Sequence, residues 1–289
     1  MRHDSLRAFL AKGAGVLEKG PVALVLVEDA VEIASTLRHH LDSGFRAIVV
    51  FAHPAIALPA EVQDPRVTVV AQDMLADGAF PGVVNACIAA APQGTWMVYL
   101  YNAEYLFYPF CEHRSVGEMC QFAQEERRDS ILTYVVDLYA GDLDRHPTAV
   151  SIEDAHLDRM GYYALTRRLP DGRIAERQLD FFGGLRWRYE EHIPPARRRI
   201  DRVAIFRTRK GLTLRPDHSF DVPEYNTYAC PWHHSITAAL CSFRTAKALK
   251  RNPGSSFDIA TFRWPNSVPF AWHSQQLMDL GLMEPGQWF

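Results

Sequence analysis

Polar and apolar positions alternate in blocks along the first half of the chain. Val22–Val27 (VALVLV) is a continuous apolar run, as expected for a strand buried on both faces of a parallel sheet. Residues 28–42 mix charge with apolar spacing and predict a helix that Gly44 ends. Arg46–Phe51 (RAIVVF) then predicts a second strand. A strand–helix–strand unit of this length favours a parallel crossover. Val67–Ala71 predicts a third strand, Val83–Ala91 a helix, and Trp96–Leu100 with Tyr101 a fourth strand. That last run stops at the polar pair Asn102 and Glu104, resumes at Tyr105, Leu106 and Phe107, and is closed by Pro109. A single strand through this stretch would put Asn102 and Glu104 on one face. Earlier, residues 4–18 predict a short amphipathic helix ended by Gly20-Pro21.

Further along, Val116, Met119, Cys120, Phe122 and Ala123 have helical spacing, and Ile131–Leu138 predicts a strand ending beside Asp137 and Tyr139. Residues 151–180 read as loop, with LPDGR as a turn signal. Gly183-Gly184-Leu185-Arg186-Trp187-Arg188 pairs two glycines with alternating arginines. Such glycines let backbone approach a ligand, and the arginines offer planar forks to a phosphate or carboxylate. The same pattern also fits a plain turn into a surface strand. Arg197–Lys210 is a basic run whose ordinary reading is a solvated face. Leu240–Arg244 predicts a short strand leading to a helix, and residues 273–281 a last helix.

The 289 residues carry 48% hydrophobic side chains, enough for one large or two small α/β domains. A net charge of −3 gives no reason to expect nucleic acid or a membrane surface as a partner. Cys87, Cys111, Cys120, Cys230 and Cys241 show neither CxxC nor zinc spacing, which fits a reducing cytoplasm. The charged N-terminal stretch is unlike a secretory signal, and no apolar run has the length of a membrane span.

WMVYLYNAEYL resembles the Trp-(apolar)-Asp-x-Asp-Glu-(Phe/Tyr)-Leu stretch of family-two-like glycosyltransferases of the GT-A fold. LRHHLDSGFRAIVVF resembles that group's His-His-x-x-x-Gly helix and following strand. Gly183–Tyr189 resembles its Gly-Gly-x-Arg-x-Arg-(aromatic) stretch, and RVAIFRTRKGLTLRPDHSF its later strand and histidine turn. These motifs fall in family order over about residues 20–250. The resemblance implies a GT-A-like, Rossmann-like α/β fold, a mostly parallel sheet flanked by helices. It would occupy residues 1–254, with residues 255–289 as a C-terminal extension packing on the domain or on a partner.

It also implies transfer of a sugar from a nucleotide-sugar donor to a glycan or other acceptor, in a bacterial-type surface glycan pathway and with inversion. The family's metal-holding positions are here Tyr101, Ala103 and Ser242, none a good ligand for Mn²⁺ or Mg²⁺. The loop after the second strand, FAHPAIALPAEV, also lacks the family's Asp and Asn. Transfer, if it occurs, is therefore expected to be metal-independent. Asp137 or Glu104 is the candidate base. Glu28, Asp29, His53, Asn102, Arg186, Arg188 and Arg244 are the candidate donor-binding groups. His218 and His233 are candidates for the acceptor. Each has a plainer alternative: Glu28 and Asp29 as helix N-terminal charge, Asp137 as the cap of AGDLDRHP, and His233 and His234 as core or surface histidines. Two further readings stay open. One is a catalytically degenerate relative that binds or assembles, as a homo-oligomer or with a protein partner. The other is a displaced metal site at Asn102 and Glu104.

Overall fold

A computed structural model of the chain describes residues 1–226 and 235–288. The fold is mixed α/β, with a nine-stranded, mostly parallel sheet and helices. The chain divides into two compact units, each assembled from three segments. The first is Met1–Leu106, His113–Leu132 and Val203–Asn226. The second is Phe107–Glu112, Thr133–Arg202 and Thr227–Phe289, so residues 255–289 fall within it.

In the first unit, strands Arg2–His3, Val67–Ala71, Ala47–Ala52, Val22–Val27 and Trp96–Tyr101 lie side by side in that order, all parallel. Asp201–Arg207 adds antiparallel to Trp96–Tyr101, pairing Ile205 with Val98. Every residue of Val22–Val27, Ala47–Ala52 and Trp96–Tyr101 is buried, which accounts for their unbroken apolar character. Helix Ile33–Asp42 buries Ile33, Thr36, Leu37, His40 and Leu41, the inward stripe of a 3.6-residue repeat. Helix Val116–Glu125 buries Val116, Met119, Cys120 and Ala123 and starts in a capping box between Ser115 and Glu118.

Two expectations need correction here. The helix expected from Glu28 begins only at Ile33, because residues 28–32 turn through a left-handed Glu32 (φ +54°). The helix expected over residues 4–18 is split into Leu6–Lys12 and a 3-10 turn, Ala14–Glu18.

In the second unit, residues 133–137 of the strand Ser130–Asp137 run parallel to Ala238–Ser242. Tyr139–Ala140, Ala155–Asp158 and Ser267–Pro269 form an antiparallel three-stranded sheet. Tyr163–Arg168 and Ile174–Phe182 form a hairpin, so much of the stretch read as loop is strand. Its first strand is exposed at five of six positions and alternates poorly, which removed the usual signal. Helices Gly184–Arg188 and Arg244–Arg251 flank a core of Tyr139, Leu185, Ala246, Leu249, Ile259 and Phe262.

The basic run is not a uniformly solvated face. Arg202 is buried, and Arg199 pairs with Asp180 at 3.2 Å and Asp201 at 3.3 Å. Arg167 joins the same two carboxylates from the hairpin. Among the described residues, no helix is long and apolar enough to cross a membrane.

Candidate functional site

Two polar clusters sit at carboxyl ends of buried strands, one in each unit. In the first unit the expected continuous strand is broken. Trp96–Tyr101 and Glu104–Phe107 are separate strands, and Ala103 between them has φ +59°. Asn102 and Glu104 therefore do not share a face by simple alternation.

The turn is fixed by its neighbours. Asn102 Oδ1 accepts from the Glu28 N–H at 2.9 Å. Its amide donates to Asp29 Oδ1 and to the Val31 carbonyl, each at 2.8 Å. Asp29 Oδ1 also accepts from the Val31 N–H. The Ala103 N–H donates to Thr36 Oγ1, and Glu104 Oε2 accepts from the Tyr101 N–H, both at 2.9 Å. Asn102, Ala103 and Glu104 are all fully buried. The geometry thus brings Glu28, Asp29 and Asn102 together and uses Asn102 and Glu104 to build the turn.

His53 lies exposed after Ala47–Ala52, its Nδ1 accepting from the Ala55 N–H. His218 belongs to this unit too. Its Nδ1 is 3.1 Å from the Tyr99 hydroxyl, and its ring lies 4.6 Å from that of Phe80. It is thus grouped with Tyr99 and Phe80, whereas Asp137 belongs to the other unit.

Tyr101, Ala103 and Ser242 are the positions that the resemblance noted above would align with that family's metal-holding residues. Tyr101 and Ala103 are buried within the turn's surroundings, and Ser242 Oγ accepts from the Arg244 N–H at 3.2 Å. A phenol, a methyl and an occupied hydroxyl do not make a Mg²⁺ or Mn²⁺ donor set. His233 and His234 lie outside the described residues.

The second cluster centres on Asp137, the last residue of its strand and almost fully buried. It does not cap AGDLDRHP, since Asp142 accepts from the Asp144 and Arg145 N–H groups of that turn. Asp137 Oδ2 instead accepts from the Arg186 N–H at 3.3 Å. The Arg186 guanidinium is 3.7 Å from Oδ1, and Oδ1 itself has no hydrogen-bond partner among the described residues. Burial raises the Asp137 carboxyl above its ordinary value of 3.8, against the opposing pull of Arg186 and Thr245.

Gly183-Gly184-Leu185-Arg186 is a helix start and not a strand. Its glycines meet protein rather than open space. A Cβ on Gly184 would stand 3.0 Å from Asp137 Oδ2, and one on Gly183 2.2 Å from the Tyr162 ring. Both arginine forks find acceptors inside the unit. Arg186 donates to the Arg199 carbonyl at 2.6 Å and to Thr245 Oγ1. Arg188 contacts both oxygens of Asp158 at 3.1 Å and donates to the Phe262 carbonyl.

Asp158 is the hub that the sequence reading missed. It also accepts from Trp264 Nε1 at 2.7 Å and from the Tyr139 hydroxyl, which bonds Ser267 as well. The signal was present in the alternation of His156, Leu157 and Asp158, inside a stretch read as loop. Tyr162 was also missed. Its hydroxyl is buried without a hydrogen-bond partner among the described residues, and burial first, then Asp158 and Asp137, push it well above the usual phenol value. Arg244 opens the helix Arg244–Arg251 directly after Ser242.

No known family model matches the chain, and no curated protein sequence matches it.

Proposed function

We propose that this chain is a glycosyltransferase-like protein that takes a nucleotide-sugar donor and an acceptor hydroxyl, and that its chemistry does not run through a divalent cation. The observation that supports this reading is the contrast between its two candidate bases. Glu104 is spent on the Tyr101 N–H inside a sealed turn, whereas Asp137 keeps Oδ1 without a hydrogen-bond partner among the described residues. In the step proposed, Asp137 Oδ1 takes the proton of the acceptor hydroxyl. The acceptor oxygen, freed of its proton, bonds to the anomeric carbon as the bond from that carbon to the donor diphosphate breaks and the nucleoside diphosphate leaves. A carboxyl raised by burial suits a base working near neutrality. Arg186, 3.7 Å from Asp137 and already donating to the Arg199 carbonyl and to Thr245 Oγ1, is the cation that stands beside it.

A second reading rests on the Asn102 turn. Its polar groups are consumed by Glu28, Asp29 and Val31, which favours a degenerate relative that binds without catalysis.

Thermal shift against UDP, GDP, CDP, ADP and their common sugars, with and without Mn²⁺, followed by an assay of released nucleotide, separates the two. The transferase reading expects a shift without metal. It also expects turnover that falls roughly a hundredfold or more in Asp137→Asn. A nucleotide shift with no turnover supports the degenerate reading. No shift with any nucleotide removes both in favour of a protein-assembly role.

A further inference from the structure

We propose that the hairpin of Tyr163–Arg168 and Ile174–Phe182 is a homodimer surface. Two copies of the chain join edge to edge along residues 163–166, antiparallel, with Leu165 of each copy opposite that of the other, and make one four-stranded sheet. This goes beyond the transferase reading and does not depend on it.

The two strands form a sheet of their own, and one edge of it is occupied. The Phe181 N–H donates to Asp201 Oδ1 and the Phe181 carbonyl accepts from the Ile200 N–H, both at 2.8 Å. Both main-chain groups of Phe181 therefore point away from Ala164, the residue opposite it. In an antiparallel pair of this kind the groups of the other residue turn outward too. The N–H and C=O of Ala164 point to the outer edge, and two residues on those of Thr166 do the same. Among the described residues no strand meets that edge. Tyr163, Ala164, Leu165 and Thr166 are all exposed, so no element covers their side chains on either face.

Proteins usually blunt an open edge with a charge, a proline or a bulge. Residues 163–166 (YALT) carry neither charge nor proline. The irregularity of the hairpin lies on its other strand, where residues 175–178 stand opposite Arg167 alone and Arg177 has φ +56°. The edge is also ordered in advance. Arg167 is pinned by Asp180 at 2.7 Å and Asp201 at 2.6 Å, and Tyr163 stacks on Phe182 with ring centroids 5.2 Å apart. A second copy fits this edge. With Leu165 opposite Leu165, Ala164 of each copy meets Thr166 of the other, so outward main-chain groups meet outward main-chain groups. The Leu165 pair then falls at a position without ladder bonds, where opposed side chains come closest, and Leu165 is 55% exposed in the single chain. Charge selects this direction. A parallel pairing would set the exposed Arg168 beside its counterpart, whereas the antiparallel one holds the two roughly 20 Å apart, beyond the screening length at physiological salt.

One short strand per copy makes a small interface, so the dissociation constant is expected on the order of 100 μM. Sedimentation equilibrium of the full chain from about 10 μM to about 1 mM should show monomer passing to dimer. Ala164→Pro removes an outward N–H and no bond of the hairpin, and Leu165→Lys sets like charges opposite each other. Each should weaken the dimer roughly tenfold or more while the melting midpoint of the dilute chain stays level. Leu165→Lys changes only an exposed side chain and keeps the test decisive if the proline disturbs the hairpin. Copper-phenanthroline oxidation should crosslink Leu165→Cys above the level of the parent chain, and should not crosslink Arg168→Cys, whose thiols would lie roughly 20 Å apart. A chain that stays monomeric to about 1 mM overturns the proposal and leaves the edge to a strand from another protein. A dimer that both Ala164→Pro and Leu165→Lys leave unchanged overturns it, as does crosslinking of Arg168→Cys equal to that of Leu165→Cys.

Discussion

Asn102 and Asp137 occupy comparable places, each at the carboxyl end of a buried strand, and each is buried. Asn102 has an acceptor and a two-hydrogen donor, and the Glu28–Val31 segment meets both. Asp137 has two acceptor oxygens, and among the described residues hydrogen-bond geometry serves only one of them. A saturated buried group specifies a local conformation, and here that conformation is the turn that separates Trp96–Tyr101 from Glu104–Phe107. A buried carboxylate with an unserved oxygen makes folding less favourable and has capacity left for a ligand. Position along a strand therefore does not distinguish the two residues. Hydrogen-bond saturation does.

The largest expected effect is on the saturated side. Asn102→Ala removes three hydrogen bonds at a fully buried position and should cost about 3 kcal/mol. In a chain of this size that lowers the melting midpoint by roughly 6–12 °C, readable by calorimetry. A loss within error would sink the claim that Asn102 builds the turn. Next comes Gly183→Ala, expected to cost about 2 kcal/mol through positive-φ strain and displacement of the Tyr162 ring. Near-ultraviolet dichroism should register the moved tyrosine, and an unchanged spectrum would separate Gly183 from Tyr162.

The smallest effect has the opposite sign. Asp137 has a raised carboxyl value when folded, so the native state holds its proton more tightly than the unfolded chain does. Its contribution to stability is present below 3.8 and is lost as pH rises through the folded value. Asp137→Asn should therefore raise the midpoint near neutral pH by on the order of 2 °C. The gain should shrink on acidification and vanish below 3.8. A variant less stable than the parent at neutral pH would place Asp137 among the saturated structural groups instead.

The parallel strands were legible because burial on both faces leaves uninterrupted apolar runs, as in VALVLV and AIVVFA. The break at Asn102–Ala103 was not. Alanine seldom adopts positive φ, and what holds it there is Thr36, 67 residues away, together with the contacts of Asn102 to residues 28–31. The polar cluster was half legible. Asp137, Arg186 and Arg188 stood out by type and order, but Asp158 and Tyr162 lay in a stretch whose neighbouring hairpin has too exposed a face to show a period. The glycine pair is legible as a site of close approach, but what it approaches is Tyr162 and Asp137, which no local pattern shows.

The segmented make-up of the first unit matters most while the chain is being synthesised. Its five parallel strands are complete once residue 101 has left the ribosome, but the antiparallel neighbour of Trp96–Tyr101 is encoded about a hundred residues later. At ordinary translation speeds that interval is roughly 5–20 s. Throughout it, Trp96–Tyr101 carries an edge whose partner has not yet been made, and an open apolar edge is a template for unwanted pairing. The order of the strands therefore leaves that edge without its antiparallel neighbour for the whole interval between codons 101 and 207.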